Sequence, residues 1–409
     1  MTARSRFLDS NDVLKVLNMS GRFKFLNWSL ASVIWVFLTA LGLSYMPQIK
    51  WIMRPEFSAS IYEGLGFQDR ILKLFYWWDS RVYISIAEKG YVHSGYNWDQ
   101  AFFPGWVLVA RILGGIVNLI SGQNWNDPWH EPRVLVLILA FINVFLLGVG
   151  YYFWAQVLRP IVSEKVEKDF RVLFFFYPCT VFFCTSYPEV CFIAMTGLSC
   201  YSISKEGHAW NLIWALPVLM SLKHAGIATA LAFPLWSLWT RRLKLGAYLG
   251  YILGAVIILG FYSYRFGDPF AWLKAQAAWG RTFSSPLALV QSLQGKGVEL
   301  VLYVLILFAA PVWLFRKLEI PLSSFSSLTK NKTWGLFFLV TCSIFVPLWF
   351  GSSTTSIYRV ILLGLPSLLM IATWTAGLKS QWTRQFLLFL LLALNVHATY
   401  RFIMGLYLP

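Results

Sequence analysis

The sequence predicts an all-α polytopic integral membrane protein, and two observations carry that prediction. The first is composition. Of 409 residues, 58% are apolar, 18% aromatic and only 13% charged, where an ordinary soluble chain carries about 25% charged residues. Asp and Glu total 18, too few to cover a soluble surface. The second is patterning. Apolar stretches close to the length of a bilayer crossing, about 20 residues, recur along the chain with short basic connections between them. Together these exclude a soluble globular, fibrous or disordered protein. The net charge of +16 fits, because Lys and Arg collect on cytoplasmic loops. Those residues fall in short separate runs rather than on one soluble face, so nothing indicates a nucleic-acid partner.

Taken in order, the first crossing is expected at about 27–47. Arg4, Arg6, Lys15, Arg22 and Lys24 precede it, together with Asp9 and Asp12, and no small-residue cleavage site follows. That pattern reads as an uncleaved anchor behind a cytoplasmic segment, 1–26. Residues 48–133 form a long first external loop. Further crossings are expected at about 134–157, 170–186, 190–204, 209–222, 225–239, 245–263, 299–315, 334–350, 358–377 and 385–405, about 11 in all. The connections Arg159/Lys165/Lys168/Arg171, Arg241/Arg242/Lys244, Arg316/Lys317/Lys330/Lys332 and Lys379/Arg384 then all lie inside. Phe102–Ser121 is apolar enough to cross, but a crossing there would turn every later basic loop outward. It is therefore expected as a re-entrant or membrane-lying helix, consistent with Pro104 and the Gly114-Gly115 pair. The whole of 1–409 reads as one membrane domain, with a second external loop at 264–298. There is no internal inverted repeat of Gly/Pro-broken spans, the pattern of many secondary transporters.

This topology brings the remaining polar residues to one side. Asp79, Glu88 and Asp99 fall in the first external loop, Glu189 in a tight external turn, and Lys223 and His224 in the next one. Asp268, Lys274 and Arg281 fall in the loop 264–298, and Arg359 opens a span. Ionisable groups at membrane depth cost about 2.5–3.5 kcal/mol each on insertion scales and mark functional sites more often than accidents. Basic groups beside carboxylates on the outer side fit an anion such as a lipid-linked phosphate. Headgroup contact and snorkelling would account for any one of them alone. WDSRVYISIAEKGY, Trp78–Tyr91, reads as an amphipathic surface helix with Asp79 and Tyr83 on one face and a stop at Lys89-Gly90. Helix capping is the plain role of Asp79. Trp78 and its neighbouring tryptophans are interfacial anchors or stacking platforms for a sugar or lipid. The five cysteines, Cys179, Cys184, Cys191, Cys200 and Cys342, lie in apolar stretches without disulfide or metal spacing. His93, His130, His208, His224 and His397 show no metal-ligand spacing either.

The same residues resemble the PIG-V-type mannosyltransferases, which add the second mannose of the GPI anchor, and their prokaryotic relatives. The resemblance rests on Trp78-Asp79, Tyr83, Ile86-Ala87-Glu88-Lys89-Gly90-Tyr91 and Ala101-Phe102-Phe103-Pro104, in order and at the family's spacing. Tyr177-Pro178-Cys179-Thr180-Val181-Phe182-Phe183 with Tyr187-Pro188-Glu189 follows, Tyr177 standing where the family has Asn. Leu222-Lys223-His224-Ala225-Gly226 resembles the Thr-Arg-x-Asn-Gly turn, with Lys for Arg and Ala for Asn, so a bidentate fork becomes a point charge. Gly267-Asp268-Pro269 with Ala275-Gln276 and Trp279-Gly280-Arg281 resembles prokaryotic members, and Ser356 with Arg359 resembles Ser-x-x-Arg-Tyr, Val360 replacing Tyr.

The resemblance implies a GT-C-like glycosyltransferase fold with its site on the outer or luminal side. It also implies a polyprenyl-phosphate sugar donor, with mannose as the family's sugar, and a lipid-linked or glycolipid acceptor hydroxyl. On that basis Asp79 is the candidate general base, because a hydroxyl is a poor nucleophile until its proton is taken. Glu189 would position the acceptor or share the proton. Lys223, Arg281 and Arg359 would offset the charge developing on the phosphate. Trp78, Tyr83, Gln100, His224, Asp268 and Gln276 are the other candidate substrate contacts. A divalent metal is compatible with this chemistry but not required by it. The alternatives are a polytopic lipid or sugar transporter or flippase, and a non-catalytic GT-C-like scaffold. The Gly267-Asp268-Pro269 block favours a bacterial plasma membrane; a eukaryotic source would place the chain in the endoplasmic reticulum.

Overall fold

The computed structural model describes residues 24–44, 75, 79–91, 99–121, 133–178, 180–205, 207–278, 291, 298–317, 332–349 and 366–403. Among these residues the secondary structure is helical, without strands. The helices are α1 (Lys24–Ser44), α2 (Asp79–Lys89), α3 (Pro104–Ser121), α4 (Arg133–Leu158), α5 (Glu164–Phe176), α6 (Val181–Cys184), α7 (Glu189–Ser204) and α8 (Leu212–Leu222). They continue as α9 (His224–Trp239), α10 (Leu245–Phe266), α11 (Ala271–Ala278), α12 (Val298–Lys317), α13 (Lys332–Trp349), α14 (Pro366–Gly377) and α15 (Gln381–Ile403). Single 3₁₀ turns occupy Asp99–Ala101 and Ala209–Asn211.

Most expected crossings coincide with one helix each, within a few residues. The expected count of 11 is not established, however. Val134–Leu158 and Leu245–Phe266 are the described helices that are both long and apolar enough to cross by themselves. At 1.5 Å per residue the 26 residues of α4 reach roughly 39 Å, beyond the ~30 Å hydrocarbon layer. Residues 358–365 of another expected span lie outside the described residues.

Three differences from expectation have physical causes. The span expected at 170–186 is not one helix. α5 stops at Phe176, ahead of Pro178, whose ring removes a donor and restricts the residue before it. One short turn, α6, follows before α7 begins at Glu189. The connecting backbone around Thr185–Tyr187 is a buried, irregular strap. The helix at 79–89 buries Ser80, Tyr83, Ile84, Ile86 and Ala87 in the protein, against α3, instead of simply floating on a surface. The Gly114-Gly115 pair does not interrupt α3, which opens on Pro104 in the position proline favours.

Glycine decides two helix seams. α8 lies along α10, where Gly246, Gly250 and Gly254 recur at four-residue intervals. A Cβ on Gly246 would stand 2.2 Å from the Ala209 carbonyl oxygen, and one on Gly250 2.1 Å from that of Leu212. The backbones therefore touch, as small residues allow in membrane helix pairs. Likewise α4 and α7 meet at Gly150 and Gly197, where a Cβ on Gly197 would be 2.8 Å from the Trp154 indole.

α5 carries two buried acids, in the segment where the sequence reading expects an inner loop. Glu167 accepts from Arg171 Nη2 at 2.8 Å and from the Tyr151 hydroxyl, and Arg171 Nε donates to Tyr151 at 3.0 Å. Asp169, 1% exposed, accepts from both Nε and Nη2 of Arg384 and from the Thr375 hydroxyl at 2.9 Å. This clamp ties α5 to α4, α14 and α15.

Candidate active site

α2 begins at Asp79, and its first backbone N–H groups have no carbonyl partners within the helix. The Asp79 N–H donates instead to the Tyr187 hydroxyl oxygen at 3.1 Å. Asp79 itself is half-buried. One turn on, the Tyr83 ring meets Phe102 edge-on at 5.0 Å. α2 ends at Lys89; Gly90 adopts φ 78°, and its N–H closes on the Ile86 carbonyl at 2.8 Å. Tyr91 then donates to the Phe102 carbonyl at 2.9 Å. Burial pushes the Tyr91 hydroxyl well above the ordinary tyrosine range, with Tyr262, Tyr83 and Asp99 adding to the shift. It therefore stays protonated and remains a donor, holding the two halves of this loop together.

The strap meets α2 from the other side. Its backbone is buried and irregular, so its polar groups need partners from elsewhere in the protein. The amide of Asn143 on α4 donates to the carbonyls of Thr185 at 2.6 Å and Tyr187 at 3.1 Å. The Trp106 indole on α3 donates to Ser186 at 2.8 Å. Ahead of α6, Asn395 on α15 donates to the Tyr177 carbonyl at 2.8 Å and to the Thr180 hydroxyl at 2.7 Å.

Two residues beyond Tyr187, Glu189 opens α7. Its side chain is fully buried and pairs with Lys223 Nζ at 2.6 Å, the lysine side chain being 12% exposed. Lys223 is the extended link between α8 and α9. The turn is tight: a Cβ on Gly226 would sit 2.0 Å from the Leu219 carbonyl oxygen, and one on Gly105 would sit 2.2 Å from Ser221 Oγ. α3 is thereby held against the end of α8. His224 lies 6.5 Å from Phe103, ring to ring, and Phe103 also packs on Tyr262 and Trp272.

The structure thus brings Asp79, Tyr83, Glu189, Lys223 and His224 onto elements that contact one another. Gln100 and Gln276 are buried where α11 packs on the turn Asp99–Ala101, and the Gln100 carbonyl accepts from Tyr262 at 3.0 Å. Asp268 is engaged locally: it accepts from the Phe270 N–H at 2.9 Å and from Lys274 at 2.7 Å. Lys274, then the Phe270 N–H, holds the Asp268 carboxyl below its usual range. Trp78, Arg281 and Arg359 lie outside the described residues. Among the described residues, no three His, Cys, Asp or Glu side chains gather as metal ligands. Sequence reasoning missed Asn143 and gave Tyr187 no role. A single Asn inside the apolar run of α4 was the available signal, since an amide in a membrane helix needs a partner.

The mannosyltransferase (PIG-V) family matches residues 35–236, a segment that holds Asp79, Tyr83, Gln100, Tyr187, Glu189, Lys223 and His224. That segment is similar to the PIG-V mannosyltransferases. The GPI mannosyltransferase pigv-1 of Caenorhabditis elegans is 30% identical over 122 residues, 29% of this chain and 17% of that protein. An Archaeoglobus fulgidus oligosaccharyltransferase, crystallised with a tethered acceptor peptide, aligns at a TM-score of 0.46 and 11% identity over 93% of this chain and 55% of its own. The chain therefore spans less than a fifth of that curated relative and just over half of that solved protein.

Proposed function

We propose that this protein is a GT-C-like membrane glycosyltransferase. It transfers a hexose, in the first instance mannose, from a polyprenyl-phosphate donor to a hydroxyl of a lipid-linked or glycolipid acceptor on the outer or luminal side. The observation that carries this reading is the convergence of three separate parts of the PIG-V-like pattern. Asp79 meets Tyr187, and Tyr187 leads directly into Glu189 and its partner Lys223.

In this reaction the acceptor oxygen attacks the anomeric carbon while Asp79 takes its proton. The bond from that carbon to the phosphate oxygen breaks, and polyprenyl phosphate leaves with one more negative charge than the donor carried. The proton on Asp79 then passes to solvent. The sugar inverts in one displacement. Glu189 holds the Lys223 ammonium beside the site, where it favours the departing phosphate; such preorganised charge is often the largest single contribution to rate. Arg281 and Arg359 would share that role. Trp78, Tyr83, Gln100, His224 and Gln276 would bind sugar or acceptor.

The test is transfer from a panel of radiolabelled polyprenyl-phosphate sugars by purified protein in lipid, with a crude lipid extract as acceptor. Transfer from the mannose donor by wild type, absent in Asp79→Asn, supports the reading. Full turnover by Asp79→Asn removes the base. A protein that moves labelled lipid across proteoliposomes without transferring sugar would be a transporter.

A further inference from the structure

We propose that the Thr185–Tyr187 strap is the positioning device for the base, with Tyr187 as the residue that fixes where α2 begins. The inference rests on the reading of Asp79 as catalytic.

Three consecutive strap carbonyls, those of Thr185, Ser186 and Tyr187, are each taken by a side-chain donor from another helix. A fully buried Tyr187 ring packs edge-on against Phe182 at 5.4 Å. The strap is therefore held at its backbone from α3 and α4, and the phenol stands in one place. Its oxygen accepts the N–H of Asp79, a first-turn donor with no partner inside its own helix. Because the helix starts at Asp79, shifting that start shifts the carboxylate. The same strap runs straight into Glu189, so one rigid segment sets the Asp79 carboxylate relative to the Glu189–Lys223 pair. A misplacement of about 1 Å at a reacting group costs on the order of 10²-fold in rate.

Tyr187→Phe keeps the ring and removes the oxygen. The expected result is a kcat lowered roughly 10- to 100-fold with the donor KM changed less than about 2-fold, since binding groups are untouched. In an Asp79→Asn background the same change should add nothing, because the two act as a unit. Trp106→Phe, which loosens the strap at Ser186 and keeps an aromatic ring, should lower kcat less, again at constant KM. Thermal unfolding of each variant in detergent separates misfolding from misplacement. Wild-type kcat in both Tyr187→Phe and Trp106→Phe, with Asp79→Asn inactive, overturns the positioning role and leaves the base in place. So does a rise in KM at constant kcat. Full activity in Asp79→Asn overturns both this inference and the reading beneath it.

Discussion

Among the described residues the buried acids fall in two ionic centres, Glu167 with Asp169 and Glu189 with Lys223, and the two are built differently. The inner clamp is saturated: Asp169 and Glu167 each accept from an arginine and from a hydroxyl, and the four groups span four helices. The other centre is built on lysine. Glu189 pairs with the Lys223 ammonium, and Asp79 stands half-buried at a helix start. Arginine's planar fork suits the first arrangement and lysine's movable point charge the second. A centre that must hold helices together fixes every donor. Under the proposed reaction, a centre that releases a charged leaving group does not. The comparison teaches that the arginine pairs at Glu167 and Asp169 join helices through several donors, and it sets the lysine pair at Glu189 apart as the one whose role the substitutions below must decide.

That contrast can be broken by substitution. The largest expected effect is at Asp79: Asn there should lower transfer by about 10²–10⁴-fold, the range of general-base catalysis, with no fall in the unfolding midpoint. Asp169→Ala should do the reverse. Removing one partner of a buried pair costs about 3–5 kcal/mol, so the midpoint in detergent falls steeply while kcat of the folded fraction holds. Next, Lys223→Met should cost both activity and stability, because Glu189 is left charged and buried. The double variant Lys223→Met with Glu189→Gln should regain stability to within about 1 kcal/mol, as apolar or neutral replacements of buried pairs often do, and still fail to transfer sugar. If the double variant is active, the outer pair is a holding device like the inner one. The smallest effect is at Asp268. Its carboxyl is held low in the folded state by Lys274. Its contribution is therefore present above the ordinary carboxylate range and lost as pH falls through the lowered value. Lys274→Ala should lower the midpoint slightly at neutral pH, and the difference from wild type should close as pH falls below the ordinary carboxylate range.

Much of the helical layout was legible because an apolar run leaves a chain in lipid no other way to pair its backbone. The runs at 134–157 and 245–263 matched α4 and α10 closely. The broken span at 170–186 was not legible, although Pro178 was in view. Its breakage depends on Asn143, Asn395 and Trp106, which lie far along the chain and supply the missing donors. The inner clamp was hidden for a related reason. Arg171 and Arg384 read as topology markers on basic loops, and only tertiary contact shows that each faces a buried acid. In the candidate site, Asp79, Glu189 and Lys223 were legible as ionisable groups out of place in an apolar chain. Tyr187 was one aromatic among many, and only its hydroxyl's position sets it apart.

The glycine seam between α8 and α10 bears on traffic. Where two backbones touch through Gly246 and Gly250, no side chain exists that could swing aside to make a doorway. Nothing the width of a hydrocarbon chain passes between them at these two glycines unless the helices separate, so any opening in the bundle lies along another face.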